Sequence, residues 1–89
     1  MNTESEKMYR GLAKLAVELY YEDKTITTDD ALIWINQNYP QKPPCQPYVS
    51  FRSVPQAAYT RAASEIEREA LASVFVGRNG KALVPEQSN

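Results

Sequence analysis

Apolar and polar positions alternate along this chain in two rhythms, and the rhythms divide it into elements. Between Ser5 and Tyr21, Met8, Leu12, Leu15, Ala16 and Leu19 fall on one face at 100° per residue. Lys7, Arg10, Lys14, Glu18 and Tyr21 fall on the other. The spacing predicts an amphipathic helix with Ser5 as N-cap. Gly11 weakens that helix by about 1 kcal/mol relative to alanine, so it is expected to mark a close approach by another element. Glu22-Asp23-Lys24 reads as a turn, and Thr25-Ile26-Thr27 as a brief extended segment of β-branched residues. Thr27-Thr28-Asp29-Asp30 then opens a second helix, with threonine at the cap and two carboxylates suited to the positive end of the helix dipole. Ala31, Leu32, Ile35 and Tyr39 form its apolar face, with Trp34 at the border. Pro40 ends it, because a residue before proline avoids the helical region.

Pro40, Pro43, Pro44 and Pro47 make the next stretch a stiff connector packed over the core, a reading preferred to a proline-rich ligand of the SH3 type. A third helix is expected from Ser53 or Val54 to Leu71. Ser53-Val54-Pro55-Gln56 matches a capping box with proline in the first turn. Tyr59, Ala62, Ala63, Ile66 and Ala70 share its thin buried side, and Ala57, Arg61, Ser64, Glu65 and Arg68 share the outer one. Last, Val74-Phe75-Val76 and Lys81-Ala82-Leu83-Val84 flank Gly77-Arg78-Asn79-Gly80, whose Asn-Gly pair accepts the positive φ angles of a type I′ hairpin turn. Pro85 closes the second strand. The predicted fold class is mainly α with a small β-hairpin: three helices and a C-terminal hairpin in one domain over residues 1–89. Residues 1–4 and 86–89 are expected to be flexible tails.

Composition narrows the chemistry. An apolar fraction of 43% against 24% charged residues is that of a globular protein, not a disordered one. Cys45 is the sole cysteine, which excludes an intramolecular disulfide and a cysteine-based metal site. The chain has no histidine, so the commonest general base and the commonest neutral metal ligand are both missing. Glycines at 11, 77 and 80 form no phosphate-cradling loop, and no calcium-loop pattern occurs. Asp29 and Asp30 are adjacent and so do not share a helix face. The expectation is a non-enzymatic protein with no cofactor, metal or small-molecule substrate. A polar N-terminus and the lack of any long apolar run predict neither a signal peptide nor a membrane span, and with no disulfide framework they predict a cytoplasmic protein.

The formal net charge of −1 and a pI near 5.4 argue against indiscriminate polyanion binding. The charge is uneven. Residues 1–47 carry five basic and seven acidic side chains; residues 48–89 carry five basic and four acidic, and four of the five arginines.

The order helix, short extended piece, helix, connector, helix, hairpin resembles the winged helix-turn-helix superfamily over roughly residues 6–85. Tyr59 to Leu71, followed by Val74-Phe75-Val76-Gly77-Arg78-Asn79-Gly80-Lys81, carries the likeness. The resemblance implies a third helix in the major groove of double-stranded DNA, a hairpin wing against the backbone, and Thr25-Ile26-Thr27 as a strand pairing with that hairpin. Its nucleic-acid-binding residues would be Arg52, Gln56, Thr60, Arg61, Ser64, Arg68, Arg78, Asn79 and Lys81, as phosphate and base contacts. Two features depart from the pattern. The connector runs about thirteen residues where a tight helix-turn-helix has about 3–4, and Glu65, Glu67 and Glu69 repel phosphates. Arg61 and Arg68 also fit a solvated helix face, with Arg61 paired to Glu65. The alternative is a protein-interaction module or homodimer, with Tyr9, Tyr20, Tyr21 and Tyr48 lining the partner surface, where tyrosine is enriched.

Overall fold

The computed structural model describes residues 3–40 and 53–77. They form α1 (Thr3–Tyr21), β1 (Ile26–Thr27), α2 (Thr28–Asn38), α3 (Ser53–Arg61), α4 (Glu65–Val74) and β2 (Phe75–Val76). The strands pair in parallel, with Ile26 beside Phe75 and Thr27 beside Val76. The mainly helical fold with a small β part is as expected; Val74, expected to open a strand, is the last residue of α4. The proline-rich connector, the Asn-Gly turn, the second hairpin strand and the capping side chain of Ser53 lie outside the described residues.

α1 is the central element. It packs most extensively on α4, then on α3, and buries Met8, Leu12, Ala13 and Ala16 completely or nearly so. The helix starts at Thr3, so Ser5 lies inside its first turn and is not the cap. Glu6, near the positive end of the dipole, favours that early start. At the other end the Lys24 N–H donates to the Leu19 carbonyl at 2.9 Å and the Asp23 N–H to the Tyr20 carbonyl at 3.2 Å, with Asp23 at φ 63°. This is a Schellman ending in which aspartate occupies the left-handed position usually held by glycine.

α2 begins as its sequence predicts. The Thr27 hydroxyl accepts the Asp30 N–H at 3.1 Å, and Ala31, Leu32 and Ile35 are buried. Thr28, only 2% exposed, donates its hydroxyl to the Val76 carbonyl at 3.4 Å and so ties the start of α2 to β2. The helix closes at Tyr39, whose N–H donates to the Ile35 carbonyl at 2.7 Å, immediately before Pro40.

The expected single helix from residue 53 to 71 is two helices. α3 stops at Arg61, the chain turns at Ala62 and Ala63, and Ser64 caps α4. The Ser64 hydroxyl accepts the Glu67 N–H at 3.3 Å, and the Glu67 carboxylate accepts the Ala63 N–H at 2.8 Å. Ser64-Glu65-Ile66-Glu67 is thus a variant of the capping box, with the return bond taken by the residue before the cap. Two short helices let Ala58 of α3, Ala62 of the turn, and Ala70, Leu71 and Val74 of α4 all reach the core. One straight helix could not turn both sets inward. The faces assigned to that helix are corrected accordingly: Ala63 is exposed, and Arg61 and Arg68 belong to different helices.

Gly11 does mark a close approach. A Cβ at this position would meet the hydroxyl oxygen of Tyr39, its Cζ at 2.8 Å and its Cε2 at 2.9 Å. The Tyr39 ring is also edge-on to Trp34 at 5.8 Å, so it is held from both sides. Gly11→Ala is therefore expected to lower stability by about 1 kcal/mol, since an overpacking cost of about 1–3 kcal/mol outweighs the helix-propensity gain. In a Tyr39→Ala background the same substitution is expected to stabilise by about 0.5–1 kcal/mol. Urea unfolding of the four proteins checks this; the same sign in both backgrounds would refute the steric account.

Candidate binding surface

The cations of the described helices divide into those bound within the fold and those facing solvent. Arg10 lies on the side of α1 predicted to be polar, yet its guanidinium reaches across to the α3–α4 joint. Nη1 donates to Glu67 Oε1 at 2.8 Å and to the Arg61 carbonyl at 3.2 Å, and Nη2 donates to Glu67 Oε2 at 3.3 Å. The fork neutralises a carboxylate that is largely buried and satisfies a carbonyl at the end of α3. The hydrogen bond from Arg10 holds the Glu67 carboxyl below the ordinary range. Burial opposes this, while the Ala63 N–H and the charges of Arg10 and Lys14 assist it.

Arg61 is likewise engaged. It pairs with Glu6 at 3.1 Å, not with the expected Glu65, donates to the Ala57 carbonyl at 3.3 Å, and lies over the Tyr9 ring at 4.6 Å. Arg68 donates to the Ala62 carbonyl at 3.4 Å and lies over the Tyr59 ring at 5.6 Å. The Thr60 hydroxyl donates to the Gln56 carbonyl at 3.0 Å, and Ser64 is the cap of α4. Gln56 is exposed. The five described residues of the nucleic-acid set are thus split between two helices, and four of them hold parts of the fold. Arg52, Arg78, Asn79 and Lys81 lie outside the described residues. Beside Arg68 is a shallow hollow of about 590 Å³, lined by Tyr59, Glu65, Arg68, Glu69 and Ala72. Two carboxylates against one engaged guanidinium make it a poor phosphate seat.

The tyrosines are arranged differently. Tyr9 and Tyr20 are half-buried, whereas Tyr21 is 72% exposed at the end of α1. Tyr20 meets Tyr21 edge-to-face at 5.7 Å and donates its hydroxyl to Glu69 at 2.8 Å, which pins the ring to α4. The adjacent carboxylate raises the Tyr20 pKa above the ordinary phenol value, chiefly through that hydrogen bond. Tyr48 lies outside the described residues. Ile33, 55% exposed on α2, is the other large apolar side chain that faces solvent among the described residues.

Lys7, Lys14 and Tyr21 are all exposed and stand seven residues apart, so they line one ridge of α1 with a drift of about 20° per step. Beside the ridge is an open cleft of about 340 Å³, lined by Glu6, Lys7, Arg10, Gly11, Lys14 and Tyr39. Sequence reasoning placed Lys7 and Lys14 on the polar face but did not single them out. The available signal was two lysines four residues before and three residues after a mid-helix glycine.

Comparison with protein families, with characterised proteins and with solved structures finds no match to this chain. Among the described residues no helix is long and apolar enough to cross a membrane.

Proposed function

We propose that this chain is a non-enzymatic protein-interaction module that binds its partner along the outer ridge of α1, with Tyr21 as the anchor. The observation that carries this reading is the exposed Tyr21 ring, braced by a Tyr20 that is itself hydrogen-bonded to α4. A rigid aromatic with few rotamers to lose is the type of residue that dominates binding energy at interfaces. Lys7 and Lys14 on the same ridge complement a partner segment that is both acidic and apolar. The partner is a protein; no small-molecule substrate and no cofactor enters this reading.

Tyr21→Ser is expected to reduce recovery of a stoichiometric partner from native lysate by on the order of tenfold, as loss of an anchor contributing about 1.5–2 kcal/mol requires. Circular dichroism melting of the variant should be unchanged, since the ring is exposed. Equal recovery by both proteins, or no stoichiometric partner for the unmodified chain, would refute the proposal.

A second reading, a winged-helix-like regulator of transcription that contacts DNA, is favoured by one observation. β1 pairs with β2 directly upstream of Asn79-Gly80, as the resemblance implies. Against it, Arg61 and Arg68 spend donors inside the domain. Fluorescence anisotropy with a random duplex at low ionic strength separates the readings, because phosphate binding weakens steeply with salt.

A further inference from the structure

We propose that the cleft beside α1 is a carboxylate-binding site that receives an acidic side chain flanked by apolar ones, contributed by the protein partner proposed above and thus resting on that reading. The charges around the cleft cancel unevenly. Glu6 is held by Arg61, and Arg10 is forked onto Glu67. Lys7 and Lys14 make no close ion pair with another described residue; Lys14 acts on Glu67 only at longer range, so both ammonium groups remain available at the rim. Their α-carbons are separated by two turns of helix, about 10 Å. Gly11 stands between them, and the space its side chain would take is filled by the Tyr39 ring.

The floor is the Gly11 backbone and the Tyr39 ring, and the walls include the aliphatic stems of the two lysines. A cavity of this size falls within the lower range of small-ligand sites. Apolar walls under a cationic rim complement a group that carries one negative charge and some hydrocarbon.

A phosphate is a poorer fit for two reasons. The guanidinium fork that would grip it is already occupied by Glu67. Glu6 in the lining also repels a dianion more than a monoanion. A duplex laid along α1 would bring many such phosphates, so a peptide carboxylate is the occupant the chemistry favours.

The test uses the full chain, labelled with ¹⁵N, and three probes: acetyl-leucyl-glutamyl-leucine amide, its glutaminyl counterpart, and inorganic phosphate. Saturable shifts are expected at the amides of Lys7, Gly11, Lys14 and Tyr39 with the glutamyl peptide. Binding should weaken on the order of tenfold with the glutaminyl peptide and in the Lys7→Gln, Lys14→Gln double variant, corresponding to loss of charge-assisted contacts. Both lysines are exposed, and the Lys14 charge is the smallest contribution to holding Glu67 ionised, so the melting temperature of the double variant is a control expected to fall only slightly. No saturable shift, equal affinity for the two peptides, or tighter binding of phosphate would overturn the carboxylate site. Failure of the cleft with Tyr21-dependent partner capture intact would overturn this inference alone. Peptide binding with no partner captured would instead overturn the interaction-module reading.

Discussion

Phe75→Ala is expected to destabilise the domain by about 3–5 kcal/mol, the cost of a large core truncation that leaves a partly unfilled cavity. Phe75 is fully buried, and it sits where two structures meet. Its N–H closes α4 on the Leu71 carbonyl, and its α-carbon registers with Ile26 in the β1–β2 pair. The ring therefore fixes the helix end and the strand together, and neither can collapse into the void without giving up a backbone partner. For a domain of this length total stability is about 4–13 kcal/mol. The variant should consequently melt roughly 15–30 °C lower, or fail to fold at the lower end of that range. Phe75→Leu keeps most of the volume and should lose only about 1–1.5 kcal/mol. A loss below about 1 kcal/mol for the alanine variant would be incompatible with the burial described for Phe75.

Glu67→Ala is expected to lower stability by about 2–3 kcal/mol, more than an exposed ion pair could account for. The substitution leaves Arg10 charged and only partly solvated, and it removes the acceptor for the Ala63 N–H at the mouth of α4. Adding Arg10→Met should restore part of the loss, giving a coupling of about 1–2 kcal/mol in a double-mutant cycle, because the stranded charge is then gone. The pH dependence has a definite sign. The folded Glu67 pKa lies below its ordinary value of 4.5, so this stabilisation is fully present above that pH and is lost as pH falls through the lowered folded value. Chemical denaturation as a function of pH should show a shallower acid limb for Glu67→Ala than for the unmodified protein. Parallel acid limbs would mean that Arg10 and Glu67 are not coupled in the folded state.

The parts of this fold that were legible in sequence are those governed by short-range periodicity. α1 and α2 show their buried faces at helical spacing, Thr27 announces the start of α2, and Gly11 signals a close approach. The split between α3 and α4 was hidden for a physical reason. Residues 57–63 are alanine-rich and carry good helix propensity, whereas the break depends on burying two alanine surfaces at different angles on α1. The Ser64-x-x-Glu67 cap was nonetheless present in the sequence. Arg10 could not be placed, because its partner Glu67 lies 57 residues away and nothing local distinguishes this arginine from any other on a polar face. The same holds for the cleft. Lys7, Gly11 and Lys14 are neighbours on one helix, but the floor is completed by Tyr39, which is brought there by the packing of α2. The nucleic-acid set was chosen for side-chain chemistry on one presumed outer face, and that face ceases to exist once the helix divides.

The β1–β2 pair has a kinetic consequence. Its partners are 49 residues apart in sequence, whereas α3 and α4 meet across a turn of three residues. Closing the longer loop costs more chain entropy and repays it with only a two-residue ladder. The helices are thus expected to dock before the strands meet, with the Thr28 hydroxyl and the Phe75 ring finding their places late. Until that clasp shuts, the species present is a helical assembly with an open seam between residues 26–28 and 75–76. Substitutions at the seam will then act on how fast the domain comes apart, and far less on how fast it forms.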